Sequence, residues 1–223
     1  MEELQITGDG SATLFQRNIN ETYHSRFGAL TESRHVFIEA GLKEAFIKFG
    51  FRLNILEVGF GTGLNALLTF QEARTHGLEV WYTALETHPV SPDMISSLDY
   101  ARATGYPEDE QIFRRLHEMP FNVAGEVTEN FVLEKRLKDV REFSDTPYRY
   151  HVVYFDAFAP KVQPELWTEE VFGRIKSAMA PGGVLVTYSA KSDVQRALRN
   201  TGFTVSKLQG PPGKREIIRA VSD

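Results

Sequence analysis

The pattern of apolar and polar residues divides most of the chain into blocks of strand and helix length. From residue 53 onward, short apolar runs alternate with segments whose apolar residues recur at helical spacing. This alternation predicts a doubly wound α/β fold with a mostly parallel sheet covered by helices on both faces. The predicted strands are LNILEV, LEVWYTALE, FVLEKRLKD, YHVVYFDAF and VLVTYSA, and the predicted helices are 64–75, 94–103, 168–180 and 194–200.

The C-terminal segment departs from this alternation. Two strand-like runs, FTVSKLQG and REIIRAV, are joined directly by the loop PPGK, which predicts an antiparallel hairpin at one edge of a seven-stranded sheet. A dinucleotide-binding fold would have another helical crossover there. Residues 104–130 match neither pattern and are interpreted as an irregular insertion with a helix at 108–118.

The first 50 residues differ from the rest in their pattern of apolar and polar residues. The runs LQIT and ATLFQ flank a Gly-Asp-Gly turn and predict a small β-hairpin. Residues 20–34 are polar and rich in His, Tyr and Arg, and a helix is predicted at 35–49, where Gly50 ends it. The chain is therefore divided into an N-terminal extension of hairpin, lid and helix, 1–50, and an α/β domain, 51–223.

Composition narrows the class of protein. The 223 residues include no cysteine, which excludes a disulfide framework, a thiolate metal site and a cysteine nucleophile. The N-terminus has acidic residues where a signal peptide needs basic ones, and no apolar stretch approaches the roughly 20 residues that span a bilayer. We expect a cytoplasmic protein without a membrane partner. The net charge of −5 disfavours nucleic acid, but residues 191–223 carry seven Lys and Arg against three Asp and Glu.

A glycine-rich motif follows the first predicted strand and opens the next helix. Its residues are Glu57, Gly59, Gly61, Gly63 and Asn65, with the spacing G-x-G-x-G and not the G-x-G-x-x-G of a dinucleotide site. An acid before the first glycine would repel a pyrophosphate, but it suits a ligand that carries an ammonium and a sulfonium. The motif therefore predicts binding of S-adenosylmethionine, and the alternative is a tight turn without a ligand.

Three acidic residues stand at the ends of later strands, where ligands gather in doubly wound sheets. Glu86, 23 residues after Gly63, is placed to bind ribose hydroxyls, and Asp139 is placed to accept the adenine amino group. The alternatives are a surface acid for Glu86 and a helix cap for Asp139.

The third acid, Asp156, follows four apolar residues in the segment DAFAP. Its carboxylate is a candidate to hold and deprotonate an amine, while Phe158 stacks on a planar base. The alternative is again a cap. None of the six histidines has metal-ligand spacing to another histidine, and the G-x-S-x-G elbow of a Ser-His-Asp triad is missing.

Together these motifs resemble the MnmC-type tRNA methyltransferase family. The resemblance rests on GFGTGLN, the strand-end Glu86, DAFAP followed by Trp167, PGGVLVTYSA, the basic loop GPPGKR and the N-terminal run TYHSRFGALTESRHVFI. It implies a Rossmann-like fold of class I, S-adenosyl-L-methionine as cofactor without metal or FAD, and N-methylation of the 5-aminomethyl group of wobble (2-thio)uridine in tRNA.

The resemblance also implies residue roles. Gly59, Gly61, Gly63 and Asn65 would hold the methionine part of the cofactor, Glu86 the ribose and Asp139 the adenine, while Asp156 and Phe158 would face the aminomethyl uracil. Lys161, Trp167, Lys214 and Arg215 would contact the anticodon stem-loop. Tyr23, His24, Glu32 and Arg34 lie in the segment expected to cover the pocket.

Longer family members carry a flavin-dependent oxidase domain that prepares the aminomethyl group, and this sequence has none. The expected partners are therefore tRNA and a separate flavin-dependent enzyme or modification complex that supplies the aminomethyl intermediate. Two alternatives remain open. One is a methyltransferase or aminopropyltransferase that acts on another amine, in a small molecule or a protein, and the other is a non-catalytic binding module.

Overall fold

An eight-stranded sheet forms the centre of the computed structural model, which describes residues 2–147 and 149–223. Its strands are β4 (Arg52–Val58), β5 (Glu79–Glu86), β6 (Ala124–Thr128), β7 (Phe131–Leu137), β8 (Tyr150–Phe155), β9 (Met179–Thr187), β10 (Phe203–Gln209) and β11 (Glu216–Ser222). They lie in the order β10-β11-β9-β8-β4-β5-β7-β6.

The middle of the sheet is parallel and its edges are antiparallel. Strands β9, β8, β4, β5 and β7 are parallel neighbours, while β11 inserts antiparallel between β9 and β10. The predicted doubly wound sheet and C-terminal hairpin are therefore confirmed.

The sheet has one strand more than predicted. Strand β6 pairs antiparallel with β7 inside the segment interpreted as irregular. It carries a register shift between Glu126 and Thr128, and only its Val127 is buried. A short, bulged edge strand with one buried residue leaves little alternation for the sequence to show.

Helices cover both faces of the sheet, because neighbouring strand residues point to opposite sides. On β8, Tyr154 belongs to one buried layer with Phe37 and Tyr82, and Phe155 belongs to the other with Phe172. The helices of the α/β part are α3 (Leu64–His76), α4 (Pro92–Ser96), α5 (Tyr100–Ala103), α6 (Glu110–Glu118), α7 (Glu169–Ala178) and α8 (Ser192–Asn200).

The N-terminal extension forms a second sheet and a long helix. Strands β1 (Glu2–Ile6), β2 (Ala12–Gln16) and β3 (Glu21–Thr22) make a three-stranded antiparallel sheet, which includes the predicted hairpin. The helix runs through α1 (Ala29–Ser33), a π-helical segment (Arg34–Leu42) and α2 (Lys43–Phe49).

This helix begins six residues before the predicted start at residue 35. Its first turn buries Glu32 and Ser33, which are polar, so the segment shows no apolar periodicity. Helix α2 ends at Gly50, as predicted, where φ is +80°. No helix within the described residues is long and apolar enough to cross a membrane.

A buried ion pair attaches the segment before α6 to helix α3. Asp109 is 1% exposed, and it accepts hydrogen bonds from Arg74 Nη1 at 2.5 Å and from Gln71 Nε2 at 2.9 Å. Helix α3 follows the glycine motif, so this pair helps to fix the backbone of the candidate site.

Replacing Asp109 by alanine should lower the free energy of unfolding by about 2–4 kcal/mol, because Arg74 loses its buried carboxylate and Gln71 Nε2 keeps only its bond to Thr104. Urea titration followed by circular dichroism measures the change. Glu110→Ala is the matched control, since Glu110 pairs with Arg114 on the exposed surface, and it should cost less than about 0.5 kcal/mol. Equal losses in the two variants would contradict the assigned role of Asp109.

Candidate active site

The candidate site lies at the carboxyl edge of the parallel strands, where the chain order reverses. From β4 the chain continues to β5 on one side, and it later returns to β8 on the other side. A crevice opens at such a switch point. Here it is a cavity of about 680 Å³, lined by residues from the glycine loop, the ends of β5, β7 and β8 and the N-terminal extension.

Two glycines in the loop after β4 are required by close contacts. Gly59 has φ +90°, and a Cβ there would lie 2.7 Å from the carbonyl oxygen of Asp156. Gly63 has φ +73°, and its Cβ would lie 2.7 Å from Nε2 of His117. Both positions therefore exclude a side chain, and Gly59 allows the ends of β4 and β8 to touch.

The imidazole beneath the loop is neutral. Burial lowers the pKa of His117 to about 4, so the ring carries no charge at neutral pH. Its Nε2–H donates to the carbonyl oxygen of Thr62 at 3.1 Å, because a carbonyl oxygen can only accept. Lys135 Nζ donates in turn to the carbonyl oxygen of His117 at 2.6 Å, and it lies 5.3 Å from the centre of the Phe60 ring. These contacts support the glycine loop from below.

Glu57 lies behind the cavity wall and does not line it. It is fully buried, and Asn65 Nδ2 donates to its Oε1 at 2.9 Å and to Asp156 Oδ2 at 2.8 Å. Burial raises the pKa of Glu57 well above its usual range. Of the two residues, Asn65 lines the cavity, so Glu57 reaches it only through its hydrogen bond with Asn65. Gly63 also lies behind the wall, whereas Gly59, Gly61 and Asn65 line the cavity.

Two carboxylates line the wall on the side of β5 and β7. Glu86 accepts hydrogen bonds from the backbone N–H groups of Gly61 at 2.9 Å and of His88 at 2.8 Å. Asp139 caps the 3-10 turn Val140–Glu142 and accepts from the backbone N–H of Arg141 at 2.8 Å. The Arg141 side chain lowers the pKa of Asp139. The capping alternative for Asp139 is thus realised, and the residue faces the cavity as well.

Asp156 stands opposite them at the end of β8. Burial raises the pKa of its carboxyl from 3.8 to about 7, with a further upward contribution from the Glu32 carboxylate. The Asn65 hydrogen bond and the Lys214 ammonium act in the opposite direction. The group is bonded to Asn65 and lines the cavity, so its surroundings are those of a proton acceptor that works near neutral pH.

The backbone of the DAFAP segment is held by two aromatic side chains. Tyr188 Oη donates to the carbonyl oxygen of Ala157 at 2.8 Å, and Trp167 Nε1 donates to that of Phe158 at 2.9 Å. The Phe158 ring lines the cavity and meets the Tyr23 ring edge-on at 5.2 Å.

Trp167, for which a contact with RNA was predicted, is almost completely buried. Only 6% of the residue is exposed, and its ring packs 4.8 Å from that of Phe155. Its indole therefore holds the backbone of Phe158 in place. The pattern of a tryptophan after DAFAP indicated its importance, but not that its ring points inward.

Part of the N-terminal extension forms the outer wall of the cavity, where the lid was expected. Tyr23 and His24 both line it. The Tyr23 hydroxyl donates to Glu2 Oε1 at 2.7 Å, and His24 lies between Thr13 at 3.2 Å and Thr62 at 3.5 Å. Burial lowers the pKa of His24 to about 4, so its ring is neutral. Arg34 lies farther along the helix and donates to the carbonyl oxygen of Thr104 at 3.1 Å.

The lysines predicted to contact RNA occupy two different environments. Lys161 is 65% exposed and pairs with Glu21 at 2.5 Å at the mouth of the cavity, and Arg215 is exposed. Lys214 instead points into the cavity, where it pairs with the buried Glu32 and lies 3.9 Å from the centre of the Tyr188 ring.

Sequence reasoning missed Tyr188, although the signal was available. It follows β9, and the rule that ligands lie at the carboxyl ends of strands applies to it as well as to Asp156. Within residues 2–147 and 149–223, no group of three or more His, Asp or Glu is arranged to hold a metal ion.

Comparison with known proteins identifies the type of cofactor. A family model described as S-adenosyl-L-methionine-dependent methyltransferase matches residues 108–223, just over half of the chain. Among solved structures, MNMC2 from Aquifex aeolicus is similar over 100% of this chain and 70% of its own, with a TM-score of 0.78 and 27% identity. The predicted methyltransferase fold and cofactor are confirmed.

Curated relatives are longer than this chain. The tRNA 5-methylaminomethyl-2-thiouridine biosynthesis bifunctional protein MnmC of Pseudomonas fluorescens is 30% identical over 96% of this chain, which covers 34% of that protein. The protein of the same name from Paraburkholderia xenovorans is 28% identical over 93% of this chain, with 33% of its own length covered. The chain thus spans about a third of the length of these relatives.

The glycine loop gives a direct test of cofactor binding. Gly63→Ala should weaken S-adenosylmethionine binding by about tenfold or more, because the new Cβ collides with His117 and forces the loop away. Isothermal titration calorimetry measures the Kd. Gly77→Ala is the matched control at the other end of helix α3, with φ +67° and open space around its Cβ. It should cost stability only, and an unchanged Kd in Gly63→Ala would remove the loop from the cofactor site.

Proposed function

The chain belongs to the family of S-adenosyl-L-methionine-dependent methyltransferases, and we propose that it methylates the 5-aminomethyl group of a wobble uridine or 2-thiouridine in tRNA. The product would be 5-methylaminomethyl-(2-thio)uridine. The observation that supports this most is the carboxyl of Asp156, whose pKa of about 7 suits the removal of a proton from an alkylammonium. The names of the MnmC relatives supply the substrate class.

The residues along one wall fit the cofactor. Gly59 and Gly61 leave room for close approach to the backbone, and Glu86 and Asp139 offer carboxylates for ribose hydroxyls and the adenine amino group. Asn65 Oδ1 is buried and accepts no hydrogen bond from the described residues, which suits the ammonium of a methionine moiety. When bound, S-adenosylmethionine supplies an electrophilic methyl group on its sulfonium.

Asp156 would prepare the nucleophile. An alkylammonium group near pH 7 has no free lone pair, since primary amines have pKa values of about 10. The ionised carboxylate takes one proton, and the nitrogen lone pair forms a bond to the methyl carbon as the carbon–sulfur bond breaks. The product would leave as a secondary ammonium, and the Asp156 carboxyl would release the proton that it took to solvent, which restores the base. Asn65 fixes the carboxylate by its hydrogen bond of 2.8 Å.

Phe158 and the rim of the cavity would position the nucleotide. The Phe158 ring can stack on a pyrimidine next to Asp156, and alignment of the reacting atoms contributes much of the rate in methyl transfer. Three exposed cations line the cavity or the pocket beside it and suit RNA phosphates, namely Arg26, Arg141 and Lys161. Arg215 is exposed in the loop between β10 and β11 and is a further candidate. We also propose that a separate flavin-dependent enzyme or modification complex forms the aminomethyl group.

The alternative amine acceptors have less support. A probable spermidine synthase from Corynebacterium glutamicum is similar in fold over 100% of this chain and 76% of its own, with a TM-score of 0.55, but its 18% identity carries the fold alone. Transfer of an aminopropyl group therefore remains an outcome for experiment to exclude.

The proposed reaction can be measured on a defined RNA. Purified protein should add one methyl group to 5-aminomethyl-2-thiouridine in tRNA, detected by mass after digestion to nucleosides. Asp156→Asn should lower kcat by about 100-fold or more and leave the Kd for S-adenosylmethionine nearly unchanged. Glu165→Gln, on the exposed rim of the cavity, should retain activity. Cofactor binding without methylation of any nucleoside would refute the tRNA substrate.

The pKa of Asp156 sets the pH dependence. Because the carboxyl must be ionised to accept a proton, kcat should rise with pH through about 7 and then level off, and Asp156→Asn should lose this step. A kcat that does not change between pH 6 and 8 would contradict the role of Asp156 as base.

The same carboxyl should make stability depend on pH. Its pKa is raised in the folded protein, so its favourable contribution is complete below pH about 4 and is lost as pH rises through about 7. Asp156→Asn should therefore gain melting temperature relative to the wild type at pH 8 but not at pH 4.

A further inference from the structure

A cation of the protein itself lies in the half of the cavity where a cationic substrate group is expected. The Lys214 ammonium forms an ion pair with Glu32 Oε1 and lies 3.9 Å from the centre of the Tyr188 ring. Its side chain is 26% exposed. An aromatic face combined with a carboxylate is the arrangement by which proteins bind ammonium ligands.

The walls around this cation are fixed by contacts that do not involve it. Glu32 has a side chain only 8% exposed, and its Oε2 accepts from the backbone N–H of Ser25 at 2.8 Å. The Tyr188 hydroxyl donates to the carbonyl oxygen of Ala157 at 2.8 Å. Both groups would therefore keep their positions if the lysine side chain left.

Lys214 itself is easier to move. It lies in the loop between β10 and β11, and its ammonium is carried by a flexible chain of four methylene groups. Rotation of that chain toward the mouth would release the ammonium into solvent. The subsite needs no rearrangement of the backbone to change its occupant.

The chemistry of the reaction requires a cation in this place. The acceptor arrives as an ammonium and must lie beside Asp156, and Glu32, Tyr188 and Asp156 line the same cavity. The Glu32 and Lys214 charges both act on the Asp156 carboxyl, so all three groups are within electrostatic range. A second ammonium could not enter while Lys214 remains, because two like charges would share one carboxylate.

We propose that Glu32 and Tyr188 form, beside Asp156, the subsite for the acceptor's primary ammonium group, and that Lys214 occupies this subsite until the acceptor displaces it. The inference rests on the proposed function, since it assigns the amine-binding part of that active site. Glu32 and Tyr188 would then determine the specificity for an amine, and Lys214 would compete with the acceptor for the same subsite.

A nucleoside isolates the subsite from phosphate contacts. The probes are 5-aminomethyl-2-thiouridine and 5-methyl-2-thiouridine, which differ by the amine, titrated into protein saturated with S-adenosylhomocysteine. Lys214→Met should bind the aminomethyl nucleoside about fivefold or more tightly than the wild type, because the competent state no longer requires displacement. Binding of the methyl nucleoside should not change.

Lys207→Met is the matched control. Lys207 lies on the same hairpin and also pairs with a glutamate, Glu216, at 3.0 Å, but it is 46% exposed. The Lys207→Met variant should bind both nucleosides with affinities within about twofold of those of the wild type. Unchanged melting temperature and unchanged Kd for S-adenosylmethionine would show that each variant is folded.

Variants of the two walls complete the test. Glu32→Gln should abolish the preference for the aminomethyl over the methyl nucleoside, Tyr188→Leu should reduce it, and Tyr188→Phe should preserve it because the ring face remains. Weaker or unchanged binding of the aminomethyl nucleoside to Lys214→Met would overturn the proposal. A Glu32→Gln variant that still prefers the aminomethyl over the methyl nucleoside would also overturn it. The same holds if the aminomethyl nucleoside binds to neither the wild type nor Lys214→Met.

The test of the ammonium subsite and the test of the tRNA substrate can succeed or fail independently. The predicted preferences together with no methylation of tRNA would keep the ammonium subsite and assign it to another amine. Methylation of tRNA together with unaltered preferences in Glu32→Gln would keep the substrate and reject the subsite.

Discussion

One amide group joins the two halves of the active site. Asn65 Nδ2 donates to Glu57 at the end of β4 and to Asp156 at the end of β8, at 2.9 and 2.8 Å. Gly59 permits this contact, because a side chain there would strike the Asp156 carbonyl. Burial raises the pKa of Glu57 well above its usual range, and the Asp156 carboxylate raises it further. Burial also raises the pKa of Asp156, to about 7, so the amide joins two carboxyl groups whose charged forms are both disfavoured.

The acceptor half depends on segments that are distant in sequence. Glu32 comes from the N-terminal helix and Lys214 from the last hairpin, and the two form an ion pair. The Lys214 ammonium also lies over the ring of Tyr188, which directly follows β9. The Phe27 ring packs so closely on Gly213 that no side chain would fit there. The N-terminal extension is therefore part of the site and not an appendage, because it supplies both the outer wall and the buried carboxylate that raises the pKa of Asp156.

Residues that follow strands could be predicted from the sequence, and residues that depend on packing could not. Glu86, Asp139 and Asp156 each stand at the end of a predicted strand, so the fold rule alone brings them to one edge. The inward direction of Trp167 and Lys214 depends on neighbours that no local pattern reveals. The start of the N-terminal helix and strand β6 were missed for a related reason. The helix start buries polar residues, and β6 buries only Val127 of its five residues.

The distribution of charge reconciles an acidic protein with the proposed RNA substrate. The net charge is −5, yet the carboxylates that matter for an ammonium, Glu32 and Asp156, line the inner cavity, while cations such as Arg26 and Lys161 stand at its mouth. Charges act on phosphates over about 8 Å in physiological salt, so the phosphates respond to the nearby rim and not to distant acidic surface. A substrate with an anionic backbone and one cationic side group matches this order of charges, positive outside and negative within. A small polyamine has no anionic backbone, so it would match only the inner part.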